Sequence, residues 1–215
     1  YTILFLFFSF LILSSCSNTE VKNVVESNTY NMISFNETER MTEMLSTENS
    51  FGTELKNIEY EHLDLLNQGA IADGEKINIC VPTGNFGNIL AAYLAKRMGL
   101  PVARLICASN ANNVLTEFLQ TGCYNARRPF FTTASPSMDI LVSSNVERLL
   151  FELSEHNGEA VNEMMQSLAA NGSYKVPDLL AKRLTDVFSA GWCDDQATLD
   201  CIRRYYQTFR YLPDT

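Results

Sequence analysis

The sequence predicts an α/β fold organised around a βαβ unit, and three observations carry that reading. Ile77 to Val81 (INICV) is a short apolar run suited to a buried parallel strand. Ile89 to Met98 then sets Ile89, Leu90, Ala92, Tyr93, Leu94 and Met98 in a helical pattern, which Gly99 and Pro101 stop. Val102 to Ala108 reads as a second strand. Strand, helix and strand within about 30 residues make a βαβ unit, whose default is a right-handed parallel crossover.

The flanking punctuation agrees. Leu63 to Gln68 reads as the end of a helix closed by Gly69, with Asp73-Gly74 as a turn. Pro82 to Gly87 is a loop. Further helices are expected over Asn112 to Gln120, ended by Gly122, and over Asn145 to Leu153. Three more follow at Glu159 to Ala170, Pro177 to Phe188 and Gln196 to Phe209. In the first of these, Val161, Met164, Met165 and Leu168 recur at helical spacing, a stripe that packs a core rather than a cofactor. The C-terminal region is thus helix-rich and packed onto the α/β part.

Composition narrows the function classes. The chain has 215 residues, enough for one ordinary domain or one plus a fragment, and is 46% hydrophobic and 19% charged, which permits a packed core. The formal net charge is −9, with 25 acidic against 16 basic residues, and Lys and Arg do not cluster as a nucleic-acid reader requires. The six cysteines (Cys16, Cys80, Cys107, Cys123, Cys193 and Cys201) form no C-x-x-C pair, and the histidines are His62 and His156. Zinc-ligand spacing is therefore missing. Cys80 and Cys107 lie in the apolar strands, where a thiol acts as a small core residue.

The N-terminus changes character. Tyr1 to Leu13 (YTILFLFFSFLIL) is almost wholly apolar. At helical rise it covers about 20 Å, short of the roughly 30 Å hydrocarbon core, so it suits a signal peptide better than a membrane span. Leu13-Ser14-Ser15-Cys16 resembles a bacterial lipoprotein cleavage box, although no Met and no basic residues precede the run. A buried strand or helix is the alternative. Residues 1–16 are accordingly read as a signal-peptide-like or lipobox-like segment, and residues 17–61, rich in Asn, Ser, Thr and Glu, as a disordered polar linker. Residues 62–215 form the α/β region.

Chemistry is expected in the loop Thr83-Gly84-Asn85-Phe86-Gly87-Asn88, between strand and helix. Glycines let backbone amides converge, and the helix adds unpaired N–H groups and the positive end of its dipole. Asn85 and Asn88 add side-chain donors. A phosphate fits such a cradle, and a simple tight turn also accounts for the spacing. No Gly-Lys-Ser/Thr follows and the loop is not G-x-G-x-x-G, which argues against a nucleotide site. Ser109, Asn110 and Asn112 end the second strand and are expected to cap the next helix rather than face a ligand.

Several blocks extend this reading. Ile79-Cys80-Val81-Pro82-Thr83-Gly84-Asn85-Phe86-Gly87-Asn88, leading into Ile89-Leu90-Ala91-Ala92, resembles the phosphate loop of threonine synthase. So do Leu105 to Leu115, Ser135-Pro136-Ser137-Met138-Asp139-Ile140, and Ser143 to Phe151, in the family's order. The resemblance implies a partial core of the tryptophan-synthase-β type (fold type II), from about Leu63 to the C-terminus, preceded by an unrelated-looking N-terminal segment. It implies a lyase that uses pyridoxal 5'-phosphate (PLP) as electron sink to convert O-phospho-L-homoserine to L-threonine and phosphate. Gly84, Asn85, Phe86, Gly87 and Asn88 would hold the PLP phosphate.

The family's Schiff-base lysine stands upstream in an aromatic-Lys-Asp context. The lysines here are Lys22, Lys56, Lys76, Lys96, Lys175 and Lys182, and none precedes Asp. The family's stretch contacting the cofactor ring also falls beyond Thr215. The chain is therefore expected to be catalytically incomplete, and its isolated sheet to leave apolar faces exposed. Cytoplasmic location follows from the resemblance; a lipid-anchored, non-catalytic α/β binding module is the alternative if the N-terminal segment is a genuine lipoprotein signal.

Overall fold

A computed structural model of the chain describes residues 2–5 and 50–212. Its centre is a four-stranded sheet, every neighbouring pair parallel, in the order β1-β2-β3-β6. The strands are β1 (Thr2–Phe5), β2 (Ile77–Pro82), β3 (Val102–Ser109) and β6 (Phe188–Trp192). The predicted βαβ unit is present as β2, α2 (Gly87–Arg97) and β3, joined in register from Asn78↔Arg104 to Pro82↔Ala108. β2 and β3 are buried over most of their length, consistent with a continuous apolar run covered on both sides.

Preceding the unit, α1 spans Ser50–Asn67 and closes at Gly69, whose φ of 66° is the left-handed geometry expected there. This helix starts well before the boundary expected near Glu61, so residues 50–61 are helix and not linker. The reason lies in one face: Ile58, His62 and Leu65 recur at helical spacing and are all buried. Charged neighbours on the outer face hide that pattern in the sequence. Of the leader-like segment only Thr2–Phe5 is described, paired in parallel with Ile77–Cys80. The remainder of the 1–16 reading, and residues 17–49 of the linker reading, lie outside the described residues.

After β3 come α3 (Val114–Thr121), β4 (Cys123–Asn125), a 3₁₀ turn (Pro136–Met138), α4 (Val146–Leu153) and α5 (Gly158–Asn171). Then follow β5 (Ser173–Lys175), α6 (Asp178–Val187), β6 and α7 (Asp195–Phe209). The expected helices are all present. Two features differ from expectation. Helix α6 ends at Val187, and Phe188 begins a strand that pairs with β3 from Leu105↔Phe188 to Ser109↔Trp192. Cys123–Asn125 and Ser173–Lys175 form an antiparallel ribbon, locked by the stacked rings of Tyr124 and Tyr174, 5.2 Å apart at 8°.

One contiguous core runs from Ile58 on α1 through the sheet to Leu184 on α6. Phe188 is buried in that core, its ring 5.8 Å from that of Phe86 and 6.0 Å from that of Tyr93. Cys80 and Cys107 are buried in their strands as expected, and burial pushes the Cys107 thiol up to about 11. Among the described residues, no helix is long and apolar enough to cross a membrane.

Candidate functional site

The carboxyl ends of β2 and β3 lie side by side, so the loops leaving them share one edge of the sheet. Open α/β sheets hold ligands at such an edge. The loop from β2 begins with Thr83, whose N–H donates to the Ala108 carbonyl at 2.8 Å and whose hydroxyl donates to the Val81 carbonyl at 2.7 Å. These bonds root the loop in both strands.

Gly84 comes next, where the backbone is approached too closely for any side chain. A Cβ there would stand 2.9 Å from the Ser137 carbonyl oxygen and 3.1 Å from Ile140 Cδ1. The neighbours that crowd it belong to a strap, residues 135–145. Ser143 Oγ donates to the Gly84 carbonyl at 2.6 Å. Ser144 donates to Asn85 Oδ1 from its N–H at 2.8 Å and from its hydroxyl at 2.9 Å. Asn145 Nδ2 donates to the Asn85 carbonyl at 2.9 Å, while its Oδ1 accepts from the Arg148 guanidinium. The motif blocks 135–140 and 143–151, distant in sequence, thus meet on the loop.

Phe86 and Gly87 complete the turn into α2. Phe86 has φ 65° and ψ 12°, a left-handed conformation that a phenylalanine adopts only when the surroundings enforce it. The enforcing contact is its own ring, fully buried against Phe188. Phe86 can therefore serve a ligand through its backbone alone. As N-cap it offers no side-chain acceptor, and the first backbone bond of the helix is Leu90 N–H to Phe86 carbonyl at 3.2 Å. The N–H groups before Leu90 have no partner within the helix. Asn85 is exposed; Gly84, Gly87 and Asn88 are half-buried beside it.

The five expected residues are thus brought together, with different means. Gly84 lets the strap pack directly on the loop, Phe86 and Gly87 supply backbone at an uncapped helix start, and Asn88 sits on the first turn. Asn85 is committed through its oxygen to the strap. The start of α2, without a side-chain cap and at the positive end of the helix dipole, has the chemistry that suits an anion.

The residues at the end of β3 do something else. Helix α3 is capped at Asn113 without a side-chain bond, so Asn110 and Asn112 are not caps as expected. Instead Asp139 gathers them: its Oδ1 accepts from Asn110 Nδ2 at 2.7 Å, Asn112 Nδ2 at 2.9 Å and Thr133 Oγ1 at 2.8 Å. Its Oδ2 accepts from Thr133 N–H at 2.9 Å. Burial alone would raise the Asp139 carboxyl; the bonds from Thr133, Asn110 and Asn112 outweigh it and hold the group below the usual carboxylate range. Asn110 Oδ1 accepts from the Asn112 N–H at 2.9 Å. Ser109 accepts from the Thr116 hydroxyl at 3.0 Å. Asp139 carried no special weight in the sequence; the only signal was its place inside the block 135–140.

Four of the described lysines, Lys76, Lys96, Lys175 and Lys182, lie elsewhere. Lys96, at the far end of α2, donates to the Val102 carbonyl, at the amino edge of the sheet. Lys182 pairs with Asp186 at 2.6 Å on the outer face of α6. Lys76 immediately precedes β2, and Lys175 is exposed on β5.

No protein-family model matches the sequence. Among curated proteins, the chain is 42% identical over 177 residues to threonine synthase-like 1 of Homo sapiens, covering 80% of this chain and 24% of that protein. It is 41% identical over 143 residues to threonine synthase of Pseudomonas aeruginosa, covering 66% of this chain and 30% of the relative. Among solved structures, PLP-bound threonine synthase from Brucella melitensis superposes with a TM-score of 0.69 at 34% identity, covering 90% of this chain and 40% of that one. Threonine synthase from yeast gives 0.68 at 34% identity, covering 74% and 33%. The chain spans only about a quarter to two-fifths of the proteins it matches. A match over 80% of the chain is longer than the span from Leu63 to the C-terminus, so the likeness takes in residues upstream of Leu63, in keeping with the early start of α1.

Proposed function

We propose that in this partial threonine synthase-like chain, with its fold type II α/β core, the Thr83–Asn88 loop holds the phosphate of PLP. Gly84, Phe86 and Gly87 act through backbone, and Asn85 and Asn88 through their carboxamides. The observation that carries this reading is the uncapped start of α2 beside a glycine that no other residue can replace without displacing the strap. When bound, PLP supplies an electron sink for elimination and replacement at carbon. The chain's own part is to anchor and orient: the loop fixes the phosphate, the strap fixes the loop, and the Ser109–Asn113 turn fixes the strap.

The activity proposed for the protein to which this region belongs is conversion of O-phospho-L-homoserine to L-threonine and phosphate. Within the 215 residues no lysine stands in an aromatic-Lys-Asp setting, and Lys76, Lys96, Lys175 and Lys182 lie away from the loop. We propose that none of them links the cofactor, so turnover requires a lysine outside this sequence. Titration of the chain with PLP and with pyridoxal, followed by absorbance, tests the binding claim. Tighter binding of PLP, lost in Gly84→Ala, is the expected result; equal binding of the two overturns it. Borohydride treatment of the PLP-saturated chain tests the lysine claim: no covalent mass addition at stoichiometric yield is expected, and a specific adduct on one lysine refutes it.

A further inference from the structure

We infer that Asp139 is a positioning residue of the phosphate cradle: its carboxylate ties the end of β3 to the strap that presses on Gly84. The inference rests on the phosphate-binding reading above and concerns what keeps that loop in shape.

The argument follows the chain outward from the loop. Gly84 is met by Ser137, Met138 and Ile140, the residues on either side of Asp139. Those residues sit in a tight turn, with Met138 N–H bonded to the Ser135 carbonyl, Asp139 N–H to Pro136 and Ile140 N–H to Met138 at 2.8 to 3.1 Å. At its first residue the turn meets the end of β3 through Asn110 Nδ2, which reaches the Ser135 hydroxyl at 3.2 Å and its carbonyl at 3.4 Å. At the residues that crowd Gly84 the attachment is the Asp139 side chain, whose two oxygens take four hydrogen bonds. Two of the donors, Asn110 and Asn112, follow β3 directly, and β3 is fixed in the sheet between β2 and β6. The same strand end anchors the loop from the other side, through Thr83 N–H to the Ala108 carbonyl.

Asp139 thus closes a ring: β3, Asn110 and Asn112, Asp139, strap, Gly84, Thr83 and back to β3. A carboxylate is the suitable closure because every donor facing it is an N–H or O–H and it accepts all four without a hydrogen of its own. With the tie cut, Ser137 and Ile140 lose their fixed distance from Gly84, and amides that converge only when held no longer do so. The carboxylate touches no ligand; it acts through the strap.

The test uses the full chain and reads phosphate recognition apart from stability. Affinities for PLP and for pyridoxal are measured for wild type, Asp139→Ala, Asp139→Asn and a core control, Leu180→Ala. The ratio of the two affinities isolates the phosphate. Asp139→Asn keeps one acceptor oxygen and sets a donor against the Thr133 N–H, so it is the milder cut. The expected ratio falls about tenfold in Asp139→Ala and about threefold in Asp139→Asn, and is unchanged in Leu180→Ala despite its lowered Tm. If the Asp139 variants lose Tm but keep the wild-type ratio, the positioning role is wrong while phosphate binding stands. If wild type shows no preference for PLP over pyridoxal, the phosphate reading itself fails. Amide exchange then decides the tie alone: faster exchange over residues 83–88 in Asp139→Ala than in Leu180→Ala upholds it, and equal exchange overturns it.

Discussion

The two edges of the parallel sheet use the same materials for opposite ends. At the amino edge, cations are spent on carbonyls: Lys96 donates to Val102, and Arg104 donates to the Thr185 and Asp186 carbonyls at 2.7 and 3.1 Å, where α6 ends. At the carboxyl edge, backbone N–H groups at the start of α2 are left without a side-chain cap and look outward. Parallel topology with helical returns puts every α2-like C-terminus at one edge and every N-terminus at the other. The negative end of α6 is met by Arg104 within the chain. The positive end of α2 is kept available.

Glycines sharpen the contrast. Gly84 at the carboxyl edge is a matter of space, since a Cβ would strike backbone. Gly74 and Gly99 near the amino edge have φ of 73° and 113° and nothing within 4 Å of an added Cβ, so there the matter is only chain direction. Gly84→Ala is therefore expected to have the largest effect. It should lower the PLP-to-pyridoxal affinity ratio at least about tenfold and cost about 2–3 kcal/mol of stability, by overpacking against a strap that four hydrogen bonds hold in place. Gly74→Ala should cost about 1–2 kcal/mol through its left-handed backbone and leave the ratio untouched. Denaturation curves paired with ligand titrations separate the two outcomes, and equal ratios in both variants would erase the difference between the edges.

A second division lies among the helix starts. α5 and α7 are capped: Asn157 accepts from the Ala160 N–H at 3.1 Å and Asp194 from the Ala197 N–H at 2.8 Å. Asp194→Ala should cost about 1 kcal/mol, the usual worth of such a cap, with no change in phosphate preference. That loss, seen in a urea titration, measures the stabilisation α2 forgoes by beginning at Phe86. A cap-dependent change in phosphate preference would mean that α7, not α2, is the helix that matters to the anion.

How much of this was legible follows from where each signal lives. The βαβ unit and the later helices were readable because their periods are local and their stops are Gly or Pro. β6 was not: Ser189 and Gly191 dilute a five-residue strand whose identity comes from pairing with β3, more than seventy positions away. The β4–β5 ribbon is too short to show a period and is held by a Tyr124–Tyr174 stack between distant residues. Glycine spacing between a strand and a helix left the loop open between an anion cradle and a tight turn, and the five residues were singled out by the threonine synthase resemblance. Their division of labour was not legible, because Phe86's burial and the strap's grip on Asn85 are tertiary facts. Asn110 and Asn112 misled for the same reason. An Asn before a helix reads as a cap, and only the fold reveals Asp139 as its partner.

The early start of α1 yields a pH test of whether that helix belongs to the fold. His62 is buried on its inner face, and Nε2 has no hydrogen-bond partner. Burial lowers its pKa from 6.5, with Asp73 opposing only in part. Below the unfolded value the unfolded chain binds a proton that the folded chain refuses, so stability falls with acidity from about pH 6.5 downward until the folded pKa is passed. His62→Leu should flatten that slope. A wild-type slope equal to that of the variant would mean that α1 does not dock as described.

The smallest effect is expected where a carboxylate resembles Asp139 in type and differs in setting. Asp186 pairs with Lys182 at 2.6 Å, one turn apart on α6, with both side chains more than half exposed. Water solvates each partner when the other is removed, the order Lys-then-Asp opposes the helix dipole, and salt screens what remains. Lys182→Ala should change stability by less than about 0.5 kcal/mol, and a double-mutant cycle with Asp186→Ala should give a coupling that fades in high salt. Asp139 differs in that four donors converge on it from the end of β3 and from Thr133, so its loss leaves four hydrogen bonds to be replaced at once. A coupling at Lys182–Asp186 as large as that between Asp139 and Asn112 would show that the number of bonds around a carboxylate, and not its enclosure by the strap and the end of β3, sets its worth.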